Sequence, residues 1–187
     1  MTNNNPSVDN SLTSAAYTKT AVALHWLIAV LIIGAFALGW IMTDMAVSPL
    51  KLRMFNWHKW VGVSVLLLAI VRSVWRLTHP APPFLPMPAW QKFAAHALHF
   101  ALYVLMFLQP LSGWIYSNAA GYPIVYLGLI PLPTLVAKDK ALADVMMERH
   151  ELIGWILLAC IVLHVLAGLK HQLVDRNGTL RRMLPSS

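Results

Sequence analysis

The chain has 187 residues, 58% of them hydrophobic and only 11% charged, with a mean hydropathy of +0.62. A soluble domain of this size cannot hide so much apolar surface, so the composition points to an integral membrane protein. The net charge of +7 does not mark a nucleic-acid face, because the basic residues cluster at the ends of apolar segments as membrane flanks do; no nucleic-acid partner is expected, only lipid.

Residues 1–16 read as a polar tail rich in Asn, Ser and Thr, and 17–185 as one membrane domain. The first apolar segment, about 21–42, is longer than a signal-peptide core and ends without a convincing cleavage site, so it is expected to stay as an anchor. Three more follow at about 56–77, 93–116 and 148–170, each near or above the roughly 20 residues that cross a bilayer. The fold class is therefore an all-α bundle of four spans, with both termini on one side. Trp26, Trp40, Trp57, Trp60, Trp75, Trp114 and Trp155 fall mostly near segment ends, as an aromatic belt would place them.

The connection at 78–92 carries Pro80, Pro82, Pro83, Pro86 and Pro88 and must be an extended loop, not a helix. The third connection, 117–147, is the longest. Its stretch 121–133 is apolar yet broken by Gly and Pro, which predicts a segment lying at the outer interface rather than crossing. Residues 138–147 are expected to form a short surface helix. Lys19, Arg72, Arg76, Lys92, Lys170, Arg176, Arg181 and Arg182 fall on the side of the termini, against Lys51, Arg53, Lys59, Lys138, Lys140 and Arg149 on the other. The bias of eight to six places both termini in the cytoplasm. Cys160 is the only cysteine, so one chain builds no disulfide, Cys-rich zinc site or iron–sulfur cluster.

Four histidines stand inside or at the ends of three spans: His25, His58, His150 and His164. An imidazole at membrane depth is costly unless something binds it. His150 and His164 are fourteen residues apart, nearly four helical turns, so they share a face roughly 21 Å apart along the axis. Topology sorts the four by depth: His25 with His164 toward the cytoplasm, His58 with His150 toward the outside. Two imidazoles from facing helices suit a six-coordinate b-type haem, whose iron takes one nitrogen on each porphyrin face. The expectation is two haems in series across the membrane, with His25, His164, His58 and His150 as the iron ligands. Gly34, Gly39, Gly62, Gly154 and Gly168 on the same spans would let a macrocycle approach the backbone. The plainer reading, ordinary interfacial histidines, explains any one of them but not two matched pairs.

His96 and His99, three residues apart on one face of span three, are rival ligands for His25 or His164; the alternative role for them is contact with the ligands or with haem propionates. His79 in the proline loop reads as solvated. No Asp or Glu lies deep in a span, which argues against a carboxylate-bridged di-metal site and against zinc hydrolysis. His171 continues the stripe seven residues past His164, where it would either hydrogen-bond and protonate a quinone carbonyl or simply snorkel beside Lys170. Lys51, Arg53, Lys59 and Arg149 make the surface near His58 and His150 basic. Those charges would bind propionates or steer a small anion, or they are plain interface residues. Arg72 and Arg76 read as cytoplasmic anchors or as propionate partners of the inner haem.

These motifs, in this order, resemble the bacterial cytochrome b561 family: ALHWL around His25, NWHKWVG around His58, RLTHPAPPFLP, AAHALHF, and ERHELIG followed by LHVLAGLKHQ through His150, His164 and His171. The resemblance covers about residues 17–185. It implies a four-helix inner-membrane dihaem protein, with His25 and His164 for one haem b and His58 and His150 for the other. The ligand layout is shared with the b-type subunits of membrane hydrogenases and formate dehydrogenases. Some members oxidise superoxide at the periplasmic face and reduce ubiquinone, and there His171 matches a quinone-contacting position. The implied function is a superoxide:ubiquinone oxidoreductase, with Arg53, Lys59 and Arg149 as candidate steering residues. Two other readings are an electron-transfer subunit serving a protein redox partner and the quinone pool, and a haem or quinone binding module without turnover.

Overall fold

The computed structural model describes residues 16–184. Four long helices account for most of them: α1 (Lys19–Asp44), α2 (Pro49–Thr78), α3 (Ala89–Ala119) and α4 (Lys140–Leu173). Each is long and apolar enough to cross a membrane. Residues outside the apolar runs set where they start. The Thr18 and Ser48 hydroxyls and the Asp139 carboxylate each accept a first-turn amide, from Ala21, Lys51 and Leu142, and Pro49 occupies the first helical position of α2. At the other end of α1, the Lys51 ammonium donates to the carbonyls of Met45 at 2.6 Å and Thr43 at 3.4 Å. Lys51 thus caps a helix C-terminus.

All four expected spans lie within these helices. Residues 138–147, however, do not form a separate surface helix. From Lys140 to His150 there is no Gly or Pro to break the backbone, so the segment is the first turns of α4. The proline connection is extended, as its composition requires. The apolar stretch of the third connection does not cross either. It folds into a hairpin, β1 (Val125–Tyr126) against β2 (Ile130–Pro131), which nothing in the sequence pattern announces. Leu127 and Gly128 both take positive φ, 54° and 73°, and Leu129 N–H donates to Tyr126 O at 3.0 Å, a type I′ turn. Trp60 N–H on α2 donates to Val125 O at 2.7 Å, Ser64 and Tyr126 hydroxyls meet at 2.9 Å, and Trp114 N–H on α3 donates to Pro133 O at 3.1 Å.

The helices pack as a row, α1 on α2, α2 on α3 and α3 on α4. The apolar core is Ile28 and Ile32 of α1, Val65 and Ala69 of α2 and Met106 of α3, with Phe36, Tyr103 and Ile161 packed against it. Among the described residues α4 does not run backbone to backbone along α1 or α2. The histidines face one another across that opening. Both ends of the described chain lie together: Trp26 N–H on α1 donates to Met183 O at 2.6 Å, and Arg182 donates to Pro83 O at 2.9 Å.

Candidate functional site

Two layers of imidazoles bracket the core. At the end that holds the hairpin, the His58 ring of α2 faces the His150 ring of α4, centroids 6.0 Å apart and planes at 82°. At the end that holds the chain termini, His25 of α1 faces His164 of α4, again 6.0 Å apart and at 70°. The depth matching expected from topology is therefore met in space. His99 also reaches the second layer, 5.2 Å from His164, so that end gathers three imidazoles and not two. His96 turns away, edge-on to Phe84 of the proline connection at 4.8 Å. His79 is exposed but not merely solvated: it stacks on Trp75 at 3.9 Å and its Nδ1 lies 2.9 Å from the Thr78 hydroxyl.

The His58/His150 pair is held by groups that sequence reasoning missed. His58 Nδ1 lies 3.0 Å from the Ala35 carbonyl, and His150 Nδ1 lies 3.1 Å from the Gln109 carbonyl. A carbonyl only accepts, so both Nδ1 atoms carry the hydrogen and both Nε2 atoms carry a lone pair; that of His58 is free for a metal, and that of His150 accepts from the Gln109 carboxamide, which a bound metal would displace. The Ser112 hydroxyl sits 3.0 Å from His150 Nδ1 and also donates to Gln109 O at 2.8 Å, while the Gln109 carboxamide nitrogen lies 3.2 Å from His150 Nε2. The carboxamide oxygen of Gln109 is buried without a hydrogen-bond partner. Gly113 completes the seat, because a Cβ there would stand 2.9 Å from His150 Cε1. The readable signal was two polar residues three apart, followed by Gly, in an otherwise apolar stretch of α3. Among the glycines expected to admit a macrocycle, Gly39 lies under His58, a Cβ there meeting Cε1 at 3.6 Å, and Gly154 lies under Gln109. Gly34 and Gly168 open onto empty space.

Of the basic residues singled out at this end, Arg53 and Arg149 are exposed and Lys59 is half-buried. Among the described residues none of the three is joined to another or to a carboxylate. At the opposite end, Arg72 donates to Ala21 O at 2.8 Å, and its charge lies within electrostatic reach of both His25 and His164. Arg76 sits over the Tyr17 ring at 5.4 Å. His171 Nδ1 lies 2.6 Å from the Asp175 carboxylate, which also accepts from Lys170 at 2.8 Å. Lys170, then His171, hold the Asp175 carboxyl below the usual carboxylate range. The ionised form is favoured in the fold, so the contact is complete above the usual range and lost as pH falls through the lowered value.

The donor set fits haem. An imidazole nitrogen lies about 2 Å from a metal it binds, and its ring centre roughly an ångström further back, so two ligands on one metal put their ring centres about 6 Å apart. That is the spacing of both pairs. Among the described residues no group of three or more His, Cys, Asp or Glu is placed to hold a bare ion. Each pair offers two imidazoles, the number an iron takes when a porphyrin supplies the other four nitrogens.

A family model described as prokaryotic cytochrome b561 matches residues 16–186. The chain belongs to the prokaryotic cytochrome b561 family. Cytochrome b561 homolog 2 of Escherichia coli (strain K12) is 34% identical over 179 residues, covering 94% of each chain. Cytochrome b561 homolog 1 of the same organism is 30% identical over 176 residues, 90% of this chain and 97% of its own. A probable superoxide oxidase CybB of Yersinia pestis is 29% identical over 180 residues, 90% of this chain and 96% of its own. Haem b is the cofactor of a cytochrome b561, and electron transfer is its class of activity. The helical bundle and its histidine layers are thus those of a membrane electron-transfer protein.

Proposed function

We propose that this cytochrome b561 holds two haem b groups, one between His25 and His164 and one between His58 and His150, and oxidises superoxide at the hairpin end while reducing ubiquinone at the other. The observation that carries the reading is the pairing of imidazoles from different helices at one 6.0 Å spacing, once at each end of the bundle. When bound, haem b supplies a reversible one-electron couple. The residues supply the rest. Ala35 and Gln109 carbonyls fix the tautomer of the outer imidazoles. Arg53, Lys59 and Arg149, positive residues around that end, raise the local concentration of a small anion. His171, backed by Asp175, donates a hydrogen bond and then a proton to a quinone carbonyl. Two superoxide anions leave as two molecules of dioxygen, and ubiquinone takes up two electrons and two protons. The membrane in this reading is the bacterial inner membrane, with both termini cytoplasmic, a placement that the basic bias of that side supports. The name of the Yersinia pestis relative supports the choice of superoxide.

One observation favours a second reading, in which the protein is an electron-transfer subunit with a protein donor. The hairpin presents Leu127, Leu129 and Ile130 to the outside, with Leu129 81% exposed, an apolar tip suited to a docked partner. Stopped-flow spectroscopy of the oxidised protein after a superoxide pulse separates the two. Haem reduction, followed by reoxidation that needs ubiquinone, is the expected result. Two intact haems that ignore superoxide would overturn the oxidase reading and leave the partner-fed one.

A further inference from the structure

The two imidazole layers are built differently. Both outer rings donate Nδ1–H to a backbone carbonyl, His58 to Ala35 at 3.0 Å and His150 to Gln109 at 3.1 Å. A ligand imidazole that donates in this way is the more basic one and stabilises the oxidised, more positive iron. Among the described residues neither His25 nor His164 has a hydrogen-bond partner at all. Instead the Arg72 guanidinium, pinned to Ala21 O at 2.8 Å and half-buried, holds its charge within electrostatic reach of both rings. A fixed positive charge in a poorly screened site favours the state that has gained an electron.

The other charges do not cancel this contrast. Lys59 and Arg149 follow or precede the outer histidines by one residue, so they project about 100° round the helix from them, and neither charge acts on the His58 or His150 ring as Arg72 acts on the inner pair. Arg149 is exposed and screened by solvent. At the inner end Arg76, near His99, adds positive charge, whereas Lys170 and Asp175 neutralise each other.

We infer that this asymmetry sets the reduction potential of the His58/His150 site below that of the His25/His164 site, with Arg72 as the inner tuning residue, so that electrons run downhill from the hairpin end to the end holding the termini. The inference rests on the ligand assignment proposed above and adds to it a direction and the groups that impose it. Arg72 touches neither substrate nor the ligand nitrogens; it acts through its charge on the inner site.

Spectroelectrochemical titration of the holoprotein tests it without any turnover. Two waves are expected, the inner one favoured by at least tenfold in the electron-sharing equilibrium, about 59 mV for one electron. The wave missing from His58→Ala identifies the outer site. Arg72→Gln should lower the inner wave by a similar amount and leave the outer one in place, and Arg72→Lys, which keeps the charge, should restore it. An outer wave at or above the inner one overturns the inference, as does an Arg72→Gln variant that moves both waves together or neither. Failure of the ligand assignment looks different. It appears as a wild type without two haems, or as a His58→Ala variant that keeps both.

Discussion

At the scale of the residue, the histidines were legible because an imidazole inside an apolar run is too costly to stand there unbound, and pairing by depth needs only helix pitch and topology. The seat of His150 was not, because Gln109 and Ser112 act on it from another helix, and sequence spacing says nothing of which helices meet. His99 shows the same limit: spacing named it as a rival ligand, but only the fold brings it to 5.2 Å from His164. The glycines separate cleanly by clearance. Adding a Cβ at Gly113 places it 2.9 Å from a ring carbon that hydrogen bonds hold in place, whereas at Gly39 the nearest atom stands at 3.6 Å, an ordinary contact. Gly113→Ala should therefore cost about 1–3 kcal/mol, the usual range for overpacking. Gly39→Ala should be neutral or stabilising by about 0.5–1 kcal/mol, since Ala is the better helix former. Thermal unfolding of the two variants in detergent decides it, and equal melting temperatures would contradict this difference in clearance.

At the scale of the element, hydropathy found every span but not where the helices start, because capping by Thr18, Ser48 and Asp139 lies outside the apolar runs. The hairpin was hidden for a different reason. Its strands are two residues each, and its turn places Leu, not the Asn or Gly that announces a type I′ turn, at the first left-handed position. What holds it is tertiary. Four of the seven tryptophans that read as a generic interfacial belt spend their indole N–H on a specific acceptor: Trp60 on Val125, Trp114 on Pro133, Trp26 on Met183 and Trp75 on the Thr18 hydroxyl. Trp60→Phe keeps an aromatic ring and removes the bond, worth about 1 kcal/mol net. Amide exchange at Gly128 and Leu129 should then speed up by about fivefold, while α4 amides keep their protection. Unchanged exchange in the hairpin would assign its anchoring to Ser64 and Tyr126 instead.

At the scale of the whole molecule, the row of helices leaves α4 facing α1 and α2 across a gap that side chains bridge, and the histidines are among them. A bundle built only for stability would close that gap with apolar packing, which lipid does not oppose. The fold class and the two ends of the site could be read from composition, span order and the fourteen-residue spacing on α4. The opening could not, since it depends on which helices are neighbours. Haem stoichiometry of purified variants tests most directly whether each imidazole pair holds one haem b. The wild type should carry two haems per chain. His58→Ala and His150→Ala should each lose the same one, His25→Ala and His164→Ala the other, and His99→Ala should keep both. Loss of a haem in His99→Ala with retention in His25→Ala would reassign the inner ligand, and loss of both haems or of neither across the four ligand variants would contradict the pairing.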